Sequence, residues 1–223
     1  MIFTILVGAG KGKRLNYSIP KSMIEIGGKK LFLYSIEKFY KFSDKILLAV
    51  PHGYIKKCRD MTKNIFPDLI VVKGGKRRQD SVLNCLNYID EKEGIVLIHD
   101  IARPFVSEEL IKKVIEKTKR YGACIPVLKI TDTVKEVEKK FVKRTLNREK
   151  LFAVQTPQGF RLGLIKRAYK RGEKLKGSDD SFFLEKIGYN KIYCEEGVRT
   201  NIKITYREDL FFAEFLLKKW EKE

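Results

Sequence analysis

The sequence predicts an α/β fold with three layers: a mostly parallel, twisted sheet covered by helices on both faces. Three observations predict it. From residue 4 to residue 127, short apolar runs of strand length alternate with segments whose apolar residues recur at helical spacing. The connections are short, as βα units require. The run GIVLIHD at 94–100 stays apolar until its last two residues, which marks a strand buried on both faces.

The elements follow in order. TILV at 4–7 reads as a strand, KLFLYSIEKFYKF at 30–42 as a helix, KILLAV at 45–50 as a strand and GYIKKCRDMTKNIF at 53–66 as a helix. LIVVK at 69–73 is a strand, RRQDSVLNCLNYI at 77–89 an amphipathic helix, and 94–100 the central strand. The helix at 107–122 has Ser107 as N-cap and Glu108 and Glu109 in its first turn, where acids suit the helix dipole. ACIPV at 123–127 closes the series. From about residue 129 apolar residues alternate at short spacing with charged pairs, which predicts a hairpin-like β-arm over 129–154 projecting from one domain of residues 1–223. TPQGF at 156–160 then reads as a turn, 161–172 as a helix, and 178–188 as a helix capped by Ser178 or Asp179. KIYCEEG (191–197) and NIKIT (201–205) read as strands, and 208–222 as a final amphipathic helix.

Composition narrows the function. The net charge of +19 suits either a nucleic-acid surface or a pocket for phosphorylated ligands. The lysines are scattered and no zinc-finger or RNP pattern occurs, so a phosphate pocket is expected and nucleic acid is not. No secretory signal and no run of eighteen apolar residues is present, so a cytoplasmic protein without a membrane partner is expected. Cys58, Cys85, Cys124 and Cys194 form no CxxC pair and read as reduced, mostly buried thiols. With only His52 and His99, a histidine zinc site or a Ser-His-Asp triad has little support.

The loop LVGAGKGKRL at 6–15 carries the first chemistry. It fails the P-loop pattern, because Arg14 follows Gly12-Lys13 where Ser or Thr would hold magnesium, and it fails GxGxxG as well. It suits a single triphosphate. Gly8, Ala9 and Gly10 allow close approach of a base or sugar, Gly10 and Gly12 free N–H groups for phosphate oxygens, and Lys13, Arg14 and Lys21 supply charge. A plain strand-to-helix turn with solvated lysines would look similar. Asp100, ending the central strand, faces the crevice where α/β sheets bind ligands.

Further segments bear on the loop: GGKRRQDSV at 74–82, HDIARPF at 99–105, DTVK at 132–135, LNREKLFAVQTPQGF at 146–160, SDD at 178–180, and NIKIT followed by EDL at 201–210. With GAGKGKR and Pro20-Lys21, the chain resembles the 2-C-methyl-D-erythritol 4-phosphate cytidylyltransferases along nearly its whole length. The resemblance implies a modified Rossmann-like nucleotidyltransferase sheet, a homodimer that exchanges its β-arms, and transfer of a cytidylyl group from CTP to 2-C-methyl-D-erythritol 4-phosphate with release of pyrophosphate. It implies Mg2+, or another divalent cation. Asp100, from its place at the strand end, is expected to bind that metal and orient the ribose or phosphates of the nucleotide; the plainer alternative is an N-capping aspartate before Pro104.

The reaction brings two anions together, so the need is for cations that align them and stabilise developing charge. The resemblance assigns this to Arg14, Lys21 and Lys203, and assigns Gly75 and Ser81 with the first loop to the nucleotide. It puts Arg103 on the acceptor or on holding its own loop, Thr133 and Arg148 on the acceptor of the partner subunit, and Asp132 on acceptor hydroxyls or on Lys135. Gln155 and Thr156 frame the pocket. Ser178, where the family commonly has Thr, is counted with the acceptor site. Ile101 stands where the family usually has Ala. Cytidylyl transfer to D-ribitol 5-phosphate is the sister reading, and an RNA-binding protein that kept the fold is the distant one.

Overall fold

The computed structural model describes residues 1–10, 12–15 and 19–220, without the side chains of Lys13 and Trp220. The chain begins with β1 (Ile2–Val7) and two single 3-10 turns at Lys13–Leu15 and Lys21–Met23. β2 (Glu25–Ile26) and β3 (Lys29–Lys30) form a small hairpin, turned by Gly27 (φ 53°) and Gly28 (φ 73°). Two consecutive positive φ values make the two-residue turn that glycines permit. There follow α1 (Leu31–Tyr40), β4 (Lys45–Val50), α2 (Ile55–Thr62), β5 (Ile70–Lys73) and α3 (Arg78–Leu86). β6 (Ile95–Asp100), α4 (Glu108–Tyr121) and β7 (Ala123–Lys129) complete the βα series. The Ser107 hydroxyl accepts the Leu110 N–H at 3.2 Å, which is the expected cap.

The arm consists of β8 (Lys135–Glu138) and β9 (Phe141–Thr145), an antiparallel pair apart from the main sheet. The chain returns through β10 (Phe152–Val154) and β11 (Gln158–Arg161), then α5 (Leu162–Arg171), α6 (Ser181–Lys186), β12 (Ile192–Glu196) and α7 (Glu208–Trp220). Among the described residues eight strands form the main sheet, in the order β10-β7-β11-β6-β1-β4-β5 with β12 also paired to β7. The β6-β1-β4-β5 half is parallel, and β10 and β11 run antiparallel to their neighbours.

Side-chain alternation along the strands divides the core. Phe3, Ile5, Leu47, Ala49, Val96 and Ile98 pack against α3, α5 and α6. Leu6, Ile46, Leu48, Val50, Ile95 and Leu97 pack against α1 and α4. This period-2 split buries both faces of the sheet. It also fixes the end of β6: His99 continues the α1/α4 face and Asp100 the α3 face.

Three local expectations are corrected. TPQGF is no turn: β11 runs through its last three residues and lies between β6 and β7. Its Gly159 permits this, since a Cβ there would lie 2.2 Å from Thr118 Oγ1 on α4. NIKIT is not a strand; residues 202–205 have no regular structure, and the Ile204 N–H donates to Ala102 O at 2.8 Å. The helix expected at 178–188 shrinks to α6, whose N-cap position is Asp180, while Asp179 one residue earlier accepts the Phe182 N–H at 3.1 Å.

Candidate active site

A groove of about 980 Å3 opens at the carboxyl ends of β1, β4, β5 and β6. Parallel strands place ligand crevices there. One wall is the first loop, which continues the sheet as Gly8 N–H donates to Ala49 O at 2.8 Å. Gly12 sits at φ 61°, a backbone that a side chain would strain, and turns the loop toward Arg14. The Gly74-Gly75 turn after β5 lies hard against it: a Cβ on Gly74 would come within 2.2 Å of Ala9 Cβ. Small residues in both loops therefore make one continuous wall. Ile101 is 1% exposed, packs in the core below, and would meet a Cβ on Gly8 at 3.0 Å. It is at once core and groove floor.

The charged end of the groove is built around Asp100. Its carboxylate accepts Arg78 Nε–H at 2.8 Å on one oxygen and Lys203 Nζ–H at 2.6 Å on the other. Burial raises the carboxyl's pKa, but Arg78 and Lys203 overcome it and hold Asp100 well below the usual carboxylate range. Arg78 meets Asp100 because it opens α3 on the face toward which the β6 alternation turns the aspartate. Its other arm reaches Asp180 Oδ2 at 2.8 Å, and Tyr169 O–H donates to Asp180 Oδ1 at 2.5 Å. Lys21 donates to the Ile204 carbonyl at 2.6 Å. Burial lowers its pKa, and Lys203 and Arg14 lower it further, to about 8. Arg14 also lines the groove, its guanidinium 5.7 Å from the centre of the Tyr206 ring.

The model of the 2-C-methyl-D-erythritol 4-phosphate cytidylyltransferase family matches residues 2–219. The chain belongs to this family. It is 41% identical over 223 residues to the enzyme of that name from Clostridium tetani, covering 97% of this chain and 90% of the relative. The enzyme from Clostridium botulinum ATCC 19397 is also 41% identical, covering 96% of each chain. The solved structure of the Thermus thermophilus enzyme shares 32% identity at a TM-score of 0.80, covering 96% of this chain and 98% of that one. The 4-diphosphocytidyl-2C-methyl-D-erythritol synthase of Anaerococcus prevotii shares 31% identity at a TM-score of 0.86, covering 98% and 96%.

The fold brings Gly8, Ala9, Gly10, Gly12, Arg14, Lys21, Gly75, Ser81, Asp100 and Lys203 of this cytidylyltransferase to one groove. The Lys13 side chain lies outside the described residues. The Ser81 hydroxyl is already engaged, accepting the Gly75 N–H at 3.0 Å and lying 3.3 Å from Arg77 O, so it shapes the loop. Arg103, Asp132, Thr133, Arg148 and Ser178 stand outside the groove lining. Arg103 donates to the carbonyls of Asn201 (2.7 Å) and Val154 (3.3 Å), in keeping with holding its loop. Asp132 and Thr133 are exposed at the arm's root, and Arg148 donates to Thr131 O at 2.6 Å.

Sequence reasoning missed Arg78, Asp180 and Tyr169. Arg78 was within reach: an arginine at the start of the helix that follows GG is aimed at the strand ends. Asp180 is fully buried beneath it, which only the packing of α5 and α6 reveals. His99 is also fully buried, and burial lowers its pKa to about 3, so the ring is neutral. The Arg103 carbonyl can only accept, so His99 Nε2 carries the proton and donates to it at 3.0 Å; Nδ1 of the neutral ring then accepts from Thr156 Oγ1, which itself accepts the Asp100 N–H. His99 braces the Asp100 turn.

Among the described residues no group of three or more His, Cys, Asp or Glu side chains could hold a metal ion. Asp100 has one cation on each oxygen and spare lone pairs. It fits a magnesium ion of the usual kind, held by one carboxylate, water and the substrate's phosphates, and not a cage built by protein alone.

Proposed function

We propose that the groove binds CTP with its triphosphate among Arg14, Lys21, Lys203 and Arg78, and that 2-C-methyl-D-erythritol 4-phosphate attacks there. The family's reaction joins the two into 4-(CDP)-2-C-methyl-D-erythritol and releases pyrophosphate. One observation carries the reading of the site: several cations converge on a single ionised carboxylate at the mouth of the glycine loop. A cation cluster under-neutralised in the free protein is poised for a polyanion. The lowered pKa of Lys21 reports the same tension.

In this mechanism the acceptor phosphate oxygen forms a bond to the α-phosphorus as the bond to pyrophosphate breaks. The nucleophile is anionic at neutral pH, so no base is required, in keeping with the neutral, buried His99. Lys21 and Arg14 stabilise charge on the α-phosphate and the leaving group, and Lys203 approaches from the opposite wall. Asp100 keeps Arg78 and Lys203 in place until phosphate oxygens compete for them. Gly8, Ala9, Gly10, Gly12 and Gly75 hold the nucleotide through backbone groups. Asp100 would hold a magnesium ion, which would supply further positive charge to the reacting phosphates.

The acceptor site would be completed by a second subunit, with Asp132, Thr133 and Arg148 reaching it from the arm. Apolar side chains left exposed on the hairpin support this. Phe141 is 77% exposed, Val142 63% and Val137 56%. No described helix is long and apolar enough to cross a membrane. Free thiols at Cys58, Cys85 and Cys124, all buried, support a cytoplasmic enzyme.

The test is pyrophosphate release from CTP and magnesium with each acceptor separately. Release with methylerythritol phosphate and not with ribitol 5-phosphate is expected. Release with ribitol 5-phosphate alone would transfer the reading to the sister enzyme.

A further inference from the structure

We propose that Gln155 is a positioning residue that aims Lys203 into the groove; this rests on reading Lys203 as a cation of the reaction. Lys203 lies in a stretch with no strand partner. Between the end of β12 and the start of α7, backbone bonds tie the segment down at Gly197 N–H to Val127 O and Ile204 N–H to Ala102 O, both at 2.8 Å. Side chains do the rest.

Gln155 supplies four of these side-chain bonds. It follows β10 at the root of the arm, is 4% exposed, and its own N–H is anchored on Pro126 O at 2.8 Å. Its Nε2 donates to Val198 O at 3.0 Å and Asn201 O at 3.3 Å. Its Oε1 accepts Val198 N–H at 3.1 Å and Asn201 Nδ2–H at 3.3 Å. A carboxamide is the side chain of this size that presents two donors and two acceptor lone pairs in one plane. Gly197 passes so near that a Cβ there would lie 2.6 Å from Gln155 Oε1. The clamped Asn201 is fully buried and also donates to Thr156 O at 2.9 Å.

Asn201 precedes Lys203 by two residues, about 7 Å of extended chain. With Asn201 fixed before it and Ile204 after it, Lys203 has only short links on either side before its ammonium reaches Asp100. Arg103 adds a second strut, since it grips Asn201 O and Val154 O together. The arm root, the Asp100 turn and the Lys203 segment are thereby cross-linked into one unit with Gln155 at its centre. A catalytic group displaced by about 1 Å loses up to about a hundredfold in rate, so loss of the clamp should be read in turnover.

The experiment is a double-mutant cycle on pyrophosphate release: the native chain, Gln155→Leu, Lys203→Ala and the double variant, each checked by thermal melting to be folded at the assay temperature. Gln155→Leu should lower kcat about tenfold or more while KM for CTP stays within about threefold. The double variant should be no slower than Lys203→Ala, because the clamp then has nothing left to aim. Equal factors for Gln155→Leu in both backgrounds, or native turnover in Gln155→Leu, would overturn the proposal. Native turnover in Lys203→Ala would instead remove Lys203 from the reaction, and the proposal with it. If Gln155→Leu melts too low, Gln155→Glu keeps the acceptor oxygen, loses both donors and is held to the same comparison.

Discussion

Replacing Lys21 by methionine should stabilise the ligand-free protein while destroying its activity. The ammonium sits in a partly buried niche beside Lys203 and Arg14, and its pKa falls from the ordinary 10.5 to about 8. At ~1.4 kcal/mol for each pH unit, holding that charge at neutral pH costs no more than ~3.5 kcal/mol. Partial exposure to solvent screens the repulsion and reduces this to about 1–2 kcal/mol. Losing the hydrogen bond to Ile204 O takes back about 1 kcal/mol. Lys21→Met should therefore gain up to about 1 kcal/mol, or a rise of ~2–4 °C in Tm for a chain of this size. The sign with pH follows from linkage. The folded pKa lies below the unfolded one, so between about pH 8 and 10.5 the unfolded chain holds more protons on Lys21 and the native protein gains stability as pH rises. Denaturant melts of both proteins at pH 7 and pH 10 cancel every other lysine in the difference. The variant should lead at pH 7 and lose that lead by pH 10, with turnover falling at least a hundredfold. A variant less stable than the native chain at pH 7, with a gap that ignores pH, would refute the account of Lys21 as a strained cation.

Other outcomes follow from the same geometry. Asp100→Asn leaves Lys203 without its counter-charge and Arg78 with Asp180 alone, and should cost about 3 kcal/mol at pH 7. Because the folded pKa of Asp100 is depressed, the stability it contributes is complete above about pH 4 and declines below, so the gap between variant and native urea melts should narrow in acid. His99, lowered to about 3, should show no NMR titration between pH 5 and 8; a midpoint near 6.5 would place the ring in solvent. Gly159→Ala drives a methyl into Thr118 on α4 and should lose about 1–3 kcal/mol, part of it restored by Thr118→Ala in the same chain, as read by thermal melting. Mixed dimers of Arg14→Ala and Arg148→Ala chains should recover activity if each active site draws on both subunits. Confirmed mixed dimers without recovery would confine the site to one chain.

The alternating pattern from β1 to β7 was legible because a buried parallel strand and an amphipathic helix each leave a periodic signature along the chain. So were the glycine loop and Asp100, since small residues and a charged strand end are local features. The sequence by itself thus determined the layers and the family, and it singled out Arg14, Lys21 and Lys203, which the fold brings to one groove. It misread TPQGF and NIKIT for one reason. The first becomes a strand only because β6 and β7 open a slot that Gly159 fits, and the second is held straight by Gln155, Asn201 and Arg103 without a ladder. Tertiary structure alone decided that Asp100 shares its charge between Arg78 and Lys203, and that Asp180 waits beneath Arg78. These groups are 22, 103 and 80 positions from Asp100 in the chain. Electrostatic pairing depends on distance in space, and no periodicity along a sequence encodes that.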